Sequence, residues 1–215
     1  MGERRRPATH ATWTMPAPLL REWGALTGGL GAPCRLAAGA VLFRRDEPSD
    51  GFFLIEDGLA KASAVAASGA ERLVEIMGAG CLFGEGTALE GSPRLVTVEA
   101  LSPLTLRHYR AAAVTAAMAT DARLGLCLIR IIASKQRSLA HRLIEVSALP
   151  PRERLLDLLN RLPVEARNPA VRLPLTHEEM ASYLGLSRIT VTRTLAALRR
   201  GPVLAAGVQD TLKPG

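Results

Sequence analysis

Arg188 and Arg193 stand five residues apart with Ile189, Thr190 and Thr192 between them, inside the stretch LTHEEMASYLGLSRITVTRTLAALRR, residues 175–200. Side chains of these types can read DNA. A guanidinium makes a bidentate contact to guanine, isoleucine can touch a thymine methyl, and hydroxyls hold phosphate oxygens. Arg188 and Arg193 are therefore the candidate base contacts, with Ile189 beside them. Thr176, Ser187, Thr190 and Thr192 are candidate phosphate contacts, although helix caps and exposed hydroxyls serve structure equally well. The rival reading is an amphipathic hairpin with a solvated basic face.

Two short helices must position these groups. Thr176 followed by Glu179 is a capping-box pattern that predicts a helix start at Thr176. Met180 and Leu184 recur at helical spacing, with small Ala181 allowing close approach, and Gly185 ends the helix. Ser187 caps a second helix whose buried stripe is Val191, Leu195 and Leu198. The opposite face is then Arg188, Ile189, Thr192, Arg193, Arg199 and Arg200. A helix so presented fits the major groove.

Composition agrees with a polyanionic partner. The chain has 215 residues, a net charge of +7 and 48% hydrophobic residues, enough for a core in one large or two small domains. Residues 150–200 hold nine arginines against five acids, so part of the excess charge lies on the suspected reading segment. No run reaches the roughly 18 apolar residues of a membrane span, which predicts a cytoplasmic protein with no membrane partner. Cys34, Cys81 and Cys127 are odd in number and widely separated. They predict buried thiols rather than disulfides, and with the scattered histidines His10, His108, His141 and His177 they supply no metal site. No nucleophile elbow, P-loop or metal-binding pattern supports an enzyme.

Upstream, glycines punctuate short apolar runs from Cys34 to about Tyr109: AVLF, GFFLI, RLVEIM and LVTVEAL. That pattern predicts an antiparallel β sandwich or barrel, with Ser68-Gly69 at a hairpin tip. The first 30 or so residues are read as an arm ending in a short helix around Pro18 to Leu26. Beyond Thr120, Leu128, Ile132, Leu139, Leu143 and Val146 form a helical stripe that suits a two-stranded coiled coil, interrupted at Lys135 and Gln136. Burial against the β-domain of the same chain is the alternative. Pro150-Pro151 ends that helix, PRERLLDLLNRL begins another, Pro163 to Pro169 is a loop, and VRLPL leads as a strand into Thr176.

This order of parts, with these residues, resembles the Crp/Fnr superfamily of bacterial transcription regulators over about residues 34–205. RLAAGAVLFRRDEPSDGFFLIEDGLAKA is similar to the family's opening β-roll strands, and GAGCLFGEGTALEGSPR to its effector-pocket segment. LTHEEMASYLGLSRITVTRTLAALRR is similar to its helix-turn-helix. The resemblance implies an α+β chain. An N-terminal arm and short helix (1–33) lead to a β-roll of the cyclic-nucleotide-binding-like, jelly-roll kind (34–118), a long dimerisation helix (119–149) and a C-terminal winged helix-turn-helix domain (150–215). It also implies a homodimer reading palindromic double-stranded DNA, its half-sites about one helical turn apart, with RNA polymerase a further partner if the protein activates.

In cyclic-AMP-binding members a glutamate after glycine contacts the ribose and an arginine pairs with the phosphate. Gly84, Glu85 and Arg94 match those positions. A carboxylate and an arginine flanking a glycine-rich turn can cradle a ribose phosphate. The departures point elsewhere. Leu95 stands where those members carry a hydroxyl, and Leu139 and Ala140 stand where they place hydroxyls against the purine, with Ser138 adjacent. Each lost hydrogen bond to a charged group costs about 1.5–3 kcal/mol. The expected effector is therefore not cyclic AMP, and an ion pair between Glu85 and Arg94 that shapes the loop is expected instead. No iron–sulfur cluster is expected from the scattered cysteines. Two alternatives stay open: a cyclic-nucleotide-responsive regulator using Glu85 and Arg94, and a ligand-binding module acting on a protein partner. On the reading helix, Ile189 replaces a glutamate common in the family, so the half-site is expected to differ from the common consensus at that base pair.

Overall fold

The computed structural model describes residues 13–66, 69, 71–161 and 175–199. The expected arm before Trp13, Ser68 of the hairpin tip, the Pro163 to Pro169 loop, the strand before Leu175, Arg200 and the VLAAGVQDTLKPG wing lie outside them. The chain divides into two compact units, one ending at Ile144 and one resuming at Glu145.

The first unit opens with α1 (Ala17–Leu26), which has proline in its first turn where the missing N–H is no loss. Eight strands follow: β1 (Gly31–Leu36), β2 (Val41–Phe43), β3 (Gly51–Asp57), β4 (Leu59–Val65), β5 (Glu71–Gly78), β6 (Leu82–Phe83), β7 (Thr97–Ala100) and β8 (Leu104–Arg110), with α2 (Glu85–Glu90) between β6 and β7. They pair antiparallel in two four-stranded sheets, ordered β1-β8-β3-β6 and β2-β7-β4-β5. This is the expected α+β class with a double-sheet N-terminal domain. The inner faces share one core containing Phe52, Ile55, Leu82, Val98, Leu104 and Leu106. α1 is tied to that core through the fully buried Trp23, whose ring meets Tyr109 edge-on at 5.3 Å. The arm's Met15 amide donates to the Gly80 carbonyl at 3.0 Å.

Two helices close the unit. α3 (Ala111–Thr120) occupies residues the sequence analysis left in the β-domain. It stops because Asp121 turns extended and its carboxylate accepts the Arg123 amide at 3.0 Å, starting α4 (Ala122–Ala148). The expected α4 stripe divides. Leu128 is buried in the β-domain core with Leu124, Cys127 and Ile131, and Ile132 packs partly against it. Leu139 and Leu143 are exposed instead, at 51% and 64%. Intramolecular burial thus claims the first half of that stripe, because the apolar residues there face the sheets. The outward face is a different heptad-spaced row, Leu126, Ile129, Ala133, Gln136, Ala140 and Leu143, all exposed.

The second unit contains α5 (Pro151–Arg161), α6 (His177–Leu184) and α7 (Arg188–Arg199). Leu155, Leu158 and Leu159 of α5 are buried, as are Met180 and Leu184 of α6 and Val191, Leu195 and Leu198 of α7. No helix among the described residues is long and apolar enough to cross a membrane.

Candidate functional site

The α6–α7 pair is built from its caps inward. Thr176 Oγ1 accepts the Glu179 amide at 3.1 Å while the Thr176 amide donates to Glu179 Oε2 at 2.7 Å, the reciprocal box read from the sequence. Gly185 ends α6 at φ 63°, a left-handed conformation that costs glycine little. Arg154 Nη1 of α5 donates to the Leu184 carbonyl at 3.2 Å, placing a cation on the negative end of α6. Ser187 Oγ then accepts the Thr190 amide at 3.1 Å and caps α7.

These contacts sort the candidate DNA residues. Arg188, Ile189, Thr192 and Arg193 are exposed on α7, Ile189 at 65%. The hydroxyls are engaged internally. Ser187 Oγ and Thr190 Oγ1 lie 2.8 Å apart, and Thr192 Oγ1 donates to the Arg188 carbonyl at 2.9 Å. Thr192 Oγ1 also lies 2.9 Å from His177 Nδ1. Because the threonine's one proton goes to Arg188, His177 is the donor in that contact. Sequence reasoning passed over His177, which has no motif; its part in joining α6 to α7 follows only from the crossing of the two helices.

The expected effector residues separate. Gly84 takes φ 80° to start α2, and a Cβ there would sit 2.8 Å from Arg94 Nη1. Arg94 is 4% exposed. Its Nη2 donates to the Gly51 carbonyl at 2.7 Å, its Nη1 to the Gly84 carbonyl at 3.4 Å, and its Cζ lies 4.2 Å from the Phe43 ring centroid. Burial lowers its pKa from the usual guanidinium value, with Asp50 and Glu47 opposing. The expected Glu85–Arg94 ion pair does not form. Arg94 turns to backbone carbonyls, and the buried Glu85 takes Lys135 of α4, Nζ to Oε1 at 2.5 Å.

Lys135 is the residue that sequence reasoning missed. In the sequence it interrupts an apolar stripe, and a lone cation on a helix carries no signal of its buried partner. Its ammonium also donates to the Leu82 carbonyl at 2.9 Å and lies 5.5 Å from the Trp13 ring centroid. Burial lowers its pKa, but the charge and hydrogen bond of Glu85, with Cys81 and Glu75, more than offset this and hold it above the ordinary lysine value. The lysine is therefore cationic at neutral pH.

Glu85, Lys135 and Ser138 line a cavity of about 290 Å³ together with Trp13, Val74, Glu75, Ile132, Gln136, Leu139 and Arg142. Gly84 and Arg94 do not line it. The Arg142 Nη1 group donates to the Val74 carbonyl at 3.1 Å. The arginine at the matching position donates to the Gly51 and Gly84 carbonyls, and Leu95 is 71% exposed. Among the described residues no group of three or more His, Cys, Asp or Glu side chains is placed to hold a metal ion.

Comparison with known proteins gives two family matches: Cyclic nucleotide-binding domain over residues 33–121, and Crp-like helix-turn-helix domain over residues 153–210. The chain is 28% identical over 170 residues to the CRP-like cAMP-activated global transcriptional regulator of Mycobacterium tuberculosis, covering 76% of this chain and 75% of that one. Its fold is similar to that of FixK2 from Bradyrhizobium japonicum, with a TM-score of 0.63 at 20% identity over 78% of this chain and 84% of that one. It is also similar to the c-di-GMP responsive global regulator CLP of Xanthomonas campestris, with a TM-score of 0.64 at 17% identity over 93% and 100%.

Proposed function

The chain belongs to the Crp/Fnr superfamily of DNA-binding transcription regulators, and from that membership we propose a homodimer that places α7 of each protomer in successive major grooves of a palindromic site. The observation that carries this reading is the exposed row Arg188, Ile189, Thr192 and Arg193 on a helix whose other face is fully committed to the core. Arg188 and Arg193 read guanines, and Ile189 packs on a thymine methyl. Thr176, Ser187 and Thr190 shape the helix ends, and any phosphate contact there comes from hydroxyls already holding caps. The protomers pair through the outward row from Leu126 to Leu143. RNA polymerase is a further partner if the protein activates transcription.

Cyclic AMP is not the effector in this reading, which the turning of Arg94 onto Gly51 and Gly84 supports. The cyclic-nucleotide alternative would need Arg94 to leave both carbonyls and Glu85 to share its charge with Lys135. In-vitro selection from a random DNA pool, with and without cyclic AMP, tests both statements. A palindrome recovered without nucleotide and carrying a changed base pair opposite Ile189 is the expected result. Recovery only with cyclic AMP would restore the alternative, and no enrichment in either condition would overturn DNA reading.

A further inference from the structure

The exposed face of α7 has an apolar centre, and a residue of α6 sets half of it. Ile189 and Thr192 are both exposed and stand three residues apart, so they are neighbours on the helix surface, about 5–6 Å between Cβ atoms. That distance lies between one and two base-pair steps of roughly 3.4 Å. Isoleucine has no polar side-chain atom to offer a base. Thr192 has one hydroxyl proton, and its Oγ1 stands 2.9 Å from the Arg188 carbonyl oxygen and 2.9 Å from Nδ1 of the buried His177. With the proton given to Arg188 and the donor of His177 accepted, the hydroxyl keeps one lone pair and nothing to donate. Thr192 therefore cannot donate to guanine O6 or N7, adenine N7 or thymine O4 without breaking a contact of the fold. A threonine in a helix divides between two χ1 rotamers, and two contacts on one oxygen select a single one, which fixes the γ-methyl group as well.

We infer that Ile189 and Thr192 together read the C5-methyl groups of pyrimidines, thymine or 5-methylcytosine, at two positions of the major groove within two base-pair steps of each other, and that His177 is the positioning residue that holds Thr192 to this task. The inference rests on the DNA-reading role of α7 and names the chemistry selected at the centre of that face. Arg188 and Arg193 recognise polar base edges; the pair between them recognises a methyl group, which carries no hydrogen bond.

Binding of the full chain to the site recovered by selection tests it, with each thymine replaced in turn by uracil and each cytosine by 5-methylcytosine, changes that remove or add the methyl alone. At two positions per half-site the methylated base should bind about fourfold more tightly than its unmethylated form, the worth of one buried CH2 group. Ile189→Ala should abolish the preference at one position and Thr192→Ser at the other. His177→Leu should weaken the preference at the Thr192 position and leave that at the Ile189 position, a split that a general loosening of α6 against α7 would not give. His177→Leu combined with Thr192→Val should restore it, because valine has no hydroxyl to hold. Ile189→Ala and Thr192→Ser change exposed positions, so they decide the readout even where His177→Leu fails to fold. A preference for thymine over uracil supports the proposal with thymine as the source, and a preference for 5-methylcytosine over cytosine supports it with the modified base. No methyl preference in either comparison would overturn it, as would a preference that survives both Ile189→Ala and Thr192→Ser, or an equal loss at both positions in a folded His177→Leu. If selection enriches no DNA, the regulator and this reading fall together. A recovered site that is indifferent to the methyl keeps the regulator and loses this inference alone.

Discussion

Arg188 and Arg193 stand out from α7 into solvent, whereas Arg94 lies at 4% exposure over Phe43, held by two backbone carbonyls. The same side chain thus serves opposite ends in the two units. An exposed guanidinium keeps donors for an external anion; a buried one must satisfy its donors within the fold or destabilise it. The difference teaches that burial decides whether an arginine in a ligand-binding pattern can meet a ligand: Arg188 and Arg193 are exposed, while Arg94 is enclosed by the fold. Beside Arg94, Lys135 and Glu85 obey the same rule by taking each other.

The sharpest way to break this contrast is at the buried pair. Lys135→Met should leave the Glu85 carboxylate buried without its cation and cost about 3–5 kcal/mol in urea unfolding. The double change Lys135→Met with Glu85→Leu should recover most of that loss, because apolar groups need no counter-charge. A single-variant cost under about 1 kcal/mol would show that the pair is no part of what holds α4 to the β-domain.

The exposed arginines should behave the other way. Arg188→Ala or Arg193→Ala should reduce affinity for the selected DNA by about 1–3 kcal/mol and relax specificity at one base pair, with little change in stability. Arg94→Ala should destabilise the β-domain and leave DNA specificity unaltered, measured on protein kept below its unfolding temperature. Matching effects on DNA from Arg94 and Arg188 would erase the distinction between the two regions.

Smaller effects sharpen the contrast between local and tertiary support. Thr176→Ala removes the acceptor for the Glu179 amide, and an N-cap loss of this kind costs about 1 kcal/mol of stability; thermal unfolding of the second unit would read it. His108 gives the smallest expected change. Burial lowers its pKa, with Asp50 opposing and Arg110 and Arg94 assisting, and its ring stacks on Phe53 at 4.7 Å between centroids. The unfolded chain therefore binds a proton below about pH 6.5 that the folded chain resists. This contribution is complete above that pH and is lost as pH falls toward the folded value. His108→Gln should flatten the decline in stability between neutral and mildly acid pH; an unchanged slope would assign the decline to other groups.

Much of the second unit was legible in advance because its determinants are local. The Thr176–Glu179 box, the glycine at 185 and the stripe of Val191, Leu195 and Leu198 act over one or two helical turns, so their spacing along the chain is their spacing in space. The β-domain was legible in its apolar runs but not in all its strands. β4, LAKASAV, buries Ala60 and Ala62 and shows little contrast between its faces, and β1 begins at Gly31 within what read as an arm. α2 and α3 were not anticipated.

By itself, the chain's order of residues determined the fold class, the capped α6–α7 pair, and which face of α7 carries Arg188, Ile189 and Arg193. Only the tertiary structure decided that Lys135 answers Glu85 across 50 residues, that Arg94 turns to Gly51 and Gly84, and that the outward row of α4 begins at Leu126 rather than Leu128. Helix periodicity and caps are set by neighbours a few residues away. The partner of a buried charge is set by whichever distant element the closed core brings against it.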